Sequence, residues 1–271
     1  MSLHSRRQFL KNSAKGAAAL GLGGVFVRDG ASQSIPPQGA RRIFGRNGIE
    51  VSILGMGVGG GFANLSQAAR DAFLTKGLEH GINYIEMANS YVSSTGVCVQ
   101  AAVGDFVSAR RNRFVVATKS RKRGYDEFKA EVEKSLAELK TDYIDVYHIH
   151  TLGYPGETVD DLNQWETNGC VKALREYIDQ GVIRFFGVTS HRSDYLLRAI
   201  ELWNPDVISA PFNAQRGDRG RLEGEVLSRM CELNIAGTVM KSMRLAQMIN
   251  LEGADYYDID PPPYTNAELL R

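Results

Sequence analysis

The chain has 271 residues, and its 32 lysines and arginines nearly balance 31 aspartates and glutamates, leaving a formal net charge of +1. That balance offers no sustained basic field for a nucleic-acid backbone, and the short clusters Arg121-Lys122-Arg123 and residues 216–221 read as solvated loops. Three widely spaced cysteines, Cys98, Cys170 and Cys231, support neither a disulfide framework nor a zinc site, while 43% apolar residues suffice for a large core.

The chain opens with Ser5-Arg6-Arg7-Gln8-Phe9-Leu10-Lys11, a twin arginine ahead of an apolar run at 17–27, the pattern of a twin-arginine export signal. The run is shorter than the roughly 18–20 residues that cross a bilayer as a helix, so no stable membrane span is expected. Residues 1–38 are therefore set apart as a signal peptide, with a cleavage site near Gly30-Ala31-Ser32 and a boundary at Pro36-Pro37. This implies the twin-arginine export machinery as a partner and a periplasmic or extracellular location.

Residues 39–271 read as one domain. Asn47-Gly48 between β-forming residues predicts a hairpin with a two-residue turn. Strand-like runs follow at 51–55, 82–87, 114–118, 144–150, 183–189, 207–212 and 237–240, alternating with helical periodicity at 66–80, 95–109, 125–140, 170–180, 193–203 and 222–234. That alternation is the signature of repeated βαβ units and a parallel sheet.

Polar residues recur where these strands end: Glu86 with Tyr91, Lys119, His148 with His150, Thr189 to His191, Asn213 and Lys241. Such recurrence fits a site gathered at the C-terminal face of a (β/α)8 barrel of the TIM type. A dinucleotide-binding Rossmann sheet would instead concentrate its signal after the first strand. The glycines from Gly55 to Gly61 lie there, yet the next strand-end acid, Glu86, is too distant for that fingerprint. The expected architecture is thus an α/β (β/α)8 barrel preceded by a β-hairpin. Only seven strands are found, and residues 266–271 read as a helix just starting, so the last strand and helix are expected to be absent and the chain to be a fragment or truncated product.

Four segments together resemble the aldo-keto reductase family, and the likeness runs from about Arg41 to Arg271. Gly81-Ile82-Asn83-Tyr84-Ile85-Glu86-Met87-Ala88-Asn89-Ser90-Tyr91 is similar to the family motif in which an acid precedes the catalytic tyrosine by five residues. Val115-Val116-Ala117-Thr118-Lys119 resembles its lysine motif, Asp142 through His150 its histidine motif, and Gly181 through His191 its fifth-strand region. The resemblance implies NADP-dependent reduction of a small aldehyde or ketone, with NAD as a possible substitute. It assigns Tyr91 as the acid, Lys119 and Glu86 as the pair that tunes it, and His150 as the group that orients the carbonyl. The chemistry explains the set: hydride adds to carbon while a proton must reach oxygen, and an ammonium beside a phenol favours the phenolate that proton donation leaves behind.

The same resemblance places Thr189, Ser190, His191, Ser209 and Lys241 at the cofactor. Glu86 stands where the family usually has aspartate, Thr189-Ser190 where it commonly has Ser-Asn, and Ser209 where it has glutamine. His148, two residues before His150, points the same way by strand alternation but deeper, and reads as structural. Trp165 and Tyr154, in the stretch 151–168, are loop aromatics that could stack on a substrate ring. The alternative reading is a non-catalytic exported barrel that binds a sugar or other small ligand at the same face.

Overall fold

The computed structural model describes residues 39–212 and 221–240. A two-stranded antiparallel hairpin, β1 (Arg41–Ile43) and β2 (Glu50–Ser52), comes first. Seven parallel strands then form one sheet in sequence order: β3 (Gly55–Gly57), β4 (Tyr84–Glu86), β5 (Val115–Ser120), β6 (Ile144–Leu152), β7 (Ile183–Ser190), β8 (Val207–Pro211) and β9 (Ala236–Met240). The helices between them are α1 (Gly60–Ala63), α2 (Gln67–Glu79), α3 (Val99–Ser108), α4 (Tyr125–Leu139), α5 (Leu162–Asn168), α6 (Cys170–Asp179), α7 (Ser193–Trp203) and α8 (Leu227–Glu232), the last preceded by a π turn at Leu222–Val226. Parallel strands taken in order with helical crossovers are the arrangement of a (β/α)8 barrel through its first seven strands, as expected.

Strand alternation divides the core in two. One set of side chains, among them Ile85, Val116, Tyr147, Phe186, Val188 and Ile208, packs against helix residues such as Leu74, Val103, Phe128, Val132, Leu174 and Leu196. The other set, Tyr84, Val115, Ala117, Val146, Val207 and Ala236, gathers with Phe44 and Val51 of the hairpin region in a second, smaller cluster. The hairpin therefore plugs the end of the sheet at which the strands begin.

Polar contacts hold that plug on two sides. Ser52 and Asn83 exchange hydrogen bonds of 2.7 and 3.0 Å, tying β2 to the start of β4. The Arg46 guanidinium donates to the Asn204 side chain (2.8 Å), to the carbonyls of Asn204 (2.7 Å) and Pro205 (3.0 Å), and to Asp206 (3.2 Å), just ahead of β8.

Two local expectations are corrected. The hairpin turn is wider than two residues, because Phe44 N donates to Ile49 O at 2.9 Å and Gly45–Asn47 coil as a 3-10 turn between them. The run at 51–55 also splits. Ser52 donates to the Leu54 carbonyl at 2.6 Å and turns the chain, so Glu50–Ser52 joins the hairpin while Gly55–Gly57 joins the sheet. Helix α5 occupies part of the stretch read as loop, where Leu162 and Trp165 are buried. The signal segment 1–38, Asn213, residues 216–220, Lys241 and residues 266–271 lie outside the described residues.

Replacing Arg46 by alanine removes the hairpin's anchors at β8. The expected loss is about 1–3 kcal/mol of unfolding free energy, measured by denaturant titration; an unchanged midpoint would show that the apolar plug suffices alone.

Candidate active site

The alternation that places Tyr84, Ala117 and Val146 in the smaller cluster puts Glu86, Lys119 and His148 one step further along the same face of their strands. Lys119 and His148 are register partners on β5 and β6, and His148 pairs in turn with Gly187 on β7. The pairing explains the glycine: a Cβ at 187 would lie 2.2 Å from His148 Nδ1, so the imidazole takes up the space that a side chain there would fill.

Lys119 is buried, and its Nζ lies 2.5 Å from Glu86 Oε1. Burial opposes charge on both groups. The Lys119 ammonium nevertheless holds the Glu86 carboxyl below the usual carboxylate range, while Glu86 and Tyr91 overcome desolvation to hold Lys119 above the usual lysine range. The pair therefore remains ionised. The methylene that distinguishes glutamate from aspartate is accommodated without loss of contact.

Tyr91 reaches this pair from the segment after β4. Its backbone N donates to Ala88 O (3.1 Å) and its carbonyl accepts from Val99 N (2.9 Å), which fixes the turn ahead of α3. The ring centroid sits 5.2 Å from Lys119 Nζ, and the His150 ring meets it edge-on with centroids 6.0 Å apart. Tyr91, Lys119, Glu86 and His150 thus converge, although they come from three successive strand ends.

His150 is buried and its Nδ1 has no partner among the described residues. Burial, then Lys119 and Arg121, push its pKa far below the usual imidazole value, so the ring is neutral and can donate a hydrogen bond without carrying charge. His148 is likewise neutral, lowered to about 4 chiefly by burial.

The residues expected at the cofactor separate. Thr189 Oγ1 accepts from Thr151 N at 2.7 Å, and Ser190 Oγ donates to Leu152 O at 2.7 Å. Both hydroxyls are thereby engaged in joining β7 to the end of β6. Ser209, paired in register with Thr189 and Thr238, keeps a buried hydroxyl without a partner among the described residues. His191 lies half-buried just past β7.

Sequence reasoning missed Arg123 and Glu157. Arg123 Nη2 donates to the carbonyls of His150 (2.9 Å) and Thr151 (3.0 Å), and its Nε to Glu157 (2.8 Å). Glu157 also accepts from the backbone N of Gly153 and of Tyr154, each at 3.0 Å. The Arg123 guanidinium lies 4.8 Å from the Trp165 ring. This clamp holds Thr151 at a φ of +55°, a left-handed backbone that threonine rarely adopts, directly after His150. Arg123 is therefore not a solvated loop cation, and Trp165, only 9% exposed, is a core residue and not a free aromatic for stacking.

Residues 53–256 match the Aldo/keto reductase family. The chain is similar to the uncharacterized oxidoreductase YqkF of Bacillus subtilis (strain 168), 31% identical over 64% of this chain and 56% of that protein. It is also similar to L-galactose dehydrogenase of Arabidopsis thaliana, 27% identical over 62% of this chain and 54% of that one. The chain thus spans about half the length of these curated relatives. Among solved structures, the holo form of the aldo-keto reductase AKR11C1 from Bacillus halodurans aligns with a TM-score of 0.61 at 25% identity, over 74% of this chain and 65% of that one.

Two outcomes follow from the geometry. Arg123→Ala is expected to lower kcat/KM about ten- to hundredfold by loosening His150, with Arg123→Lys recovering part of the loss; steady-state kinetics on the folded variants decides, and undiminished turnover would remove the clamp from the site. The buried imidazoles set the second. An unfolded histidine binds a proton near pH 6.5, which folded His148 refuses until about 4, so its stabilising effect is complete above 6.5 and is lost as pH falls towards 4. His148→Gln should flatten the fall of unfolding free energy across that window by about 1.4 kcal/mol per pH unit, read from denaturant melts at successive pH values.

Proposed function

Because the chain belongs to the aldo/keto reductase family, we propose that it is an oxidoreductase that reduces the carbonyl of a small aldehyde or ketone with a nicotinamide cofactor. The observation that carries this reading is the buried Lys119–Glu86 ion pair with Tyr91 set between Lys119 and His150. Tyr91 donates the proton to the carbonyl oxygen. Lys119 stabilises the phenolate that remains, Glu86 holds Lys119 in place, and neutral His150 donates a hydrogen bond that orients the oxygen.

The Ser209 hydroxyl, buried and without a partner among the described residues, is a hydrogen-bonding capacity that a carboxamide would satisfy, so this strand end suits a nicotinamide ring. Ser209 and His191 are the residues proposed to hold it, with Lys241 beyond them in sequence. When bound, the reduced cofactor supplies hydride to the carbonyl carbon; NADP is taken first and NAD as its alternative.

We further propose that the protein works outside the cytoplasm after twin-arginine export. The Ser5-Arg6-Arg7-Gln8-Phe9-Leu10-Lys11 segment and the apolar run at 17–27 support this. No helix among the described residues is long and apolar enough to cross a membrane.

The test is NADPH-dependent reduction of an aldehyde panel by the protein and by Tyr91→Phe. Turnover should fall at least about a hundredfold in the variant while NADPH binding, followed by fluorescence, persists. Equal turnover by the two proteins would remove Tyr91 from its assigned role.

A further inference from the structure

Three cations follow one another after Lys119, and the structure gives them different partners. Lys122 pairs with Glu127 at 3.1 Å and Arg123 with Glu157 at 2.8 Å. Arg121 pairs with no carboxylate among the described residues and is exposed. It stands two residues beyond Lys119 and one past the end of β5, at the C-terminal rim of the sheet where the candidate site opens.

Among the described residues its guanidinium faces an aromatic ring. The Arg121 guanidinium lies 5.2 Å from the Tyr154 ring centroid, and Tyr154 is 41% exposed. Tyr154 is not on a loose loop: its backbone N donates to Glu157, the carboxylate that also binds Arg123 and the Gly153 N. The clamp that holds the backbone of His150 therefore also holds the backbone of the residue whose ring faces Arg121. The positive charge of Arg121 is felt at His150, where it adds to burial and Lys119 in keeping the imidazole neutral.

An uncompensated guanidinium against a partly exposed ring, at the rim of a site built to present a carbonyl to Tyr91 and His150, has the chemistry of a carboxylate receptor. The planar fork of arginine matches the two oxygens of a carboxylate, and the aromatic face covers the apolar part of the ligand that bears it. We propose that Arg121 and Tyr154 form the subsite for the acidic end of the substrate, which is a carbonyl compound carrying a carboxylate. This inference rests on the reductase reading above and narrows it to one substrate class.

The test compares 4-carboxybenzaldehyde with its methyl ester, using the full chain with NADPH and the variants Arg121→Gln and Arg121→Lys. The protein is expected to favour the acid over the ester by about tenfold or more in kcat/KM, mostly through KM. Arg121→Gln should bring that ratio close to one, Arg121→Lys should keep part of it, and NADPH affinity should be retained. Equal kcat/KM for acid and ester in the unaltered protein would overturn the proposal. So would a loss of NADPH affinity in Arg121→Gln, which would assign the cation to the cofactor's phosphates. If neither aldehyde is reduced, the reductase reading fails first, and calorimetry with 4-(hydroxymethyl)benzoate separates the two ideas. Binding lost in Arg121→Gln keeps the carboxylate subsite, and absence of binding to the unaltered protein removes it.

Discussion

The rest of the candidate site depends on keeping one buried ammonium charged. Lys119 sits in the interior of the curled sheet, where an unpaired cation would shed its proton, and Glu86 at 2.5 Å, with Tyr91, offsets the desolvation. The match demands that β4 and β5 hold their register, since a slip of one residue would turn either side chain to the helix face. The hairpin plug supports that register from below: Asn83 ties β4 to Ser52, and Phe44 and Val51 fill the space beneath the charged layer. Removing either partner of the pair would leave an uncompensated buried charge, typically a loss of about 3–5 kcal/mol.

Burial, reinforced by the same charge, keeps the two histidines of the interior neutral. His148 and His150 lie near Lys119, and their protonation would set two further cations beside it in a poorly solvated space. The reaction centre is therefore built on the Lys119–Glu86 pair, with two neutral imidazoles beside it. For carbonyl reduction that arrangement is useful, because His150 can donate to oxygen without competing with Tyr91 as the source of the proton.

Most of the strand order was legible in the sequence because each buried parallel strand is a short apolar run bounded by polar residues, as at Ile144–Leu152 and Ile183–Ser190. Tyr91, Glu86, Lys119 and His150 were legible for a related reason: each stands at or just beyond a strand end, where barrel topology brings distant residues together. What the sequence concealed depends on partners far away in the chain. Gly187 looks like a weak point in a strand until His148 is seen to fill its side-chain space, 39 positions earlier by number. Thr189 and Ser190 look like free hydroxyls at a cofactor until the end of β6 is seen to use them both. Helix α5 was hidden because a seven-residue helix presents barely two turns of periodicity.

Arg121, Lys122 and Arg123 show most directly why composition cannot assign roles here. As a tripeptide they are three interchangeable positive charges, and a solvated loop is the natural reading of all three. Their fates diverge because one acidic residue, Glu157, arrives from 34 positions away on a loop that must itself turn sharply after His150. Glu157 captures Arg123, and through it the backbone of His150 and Thr151 becomes fixed. Lys122 finds Glu127 in the first turn of the helix that follows it. Arg121 is then the cation of the three with no carboxylate partner among the described residues, and it stands just past the C-terminal end of β5, at the rim of the site. A cation without a carboxylate partner among the described residues, beside a reaction centre, is open to the molecule that enters, and the ring of Tyr154, whose backbone Glu157 holds, favours an entrant with both an apolar body and an acidic end.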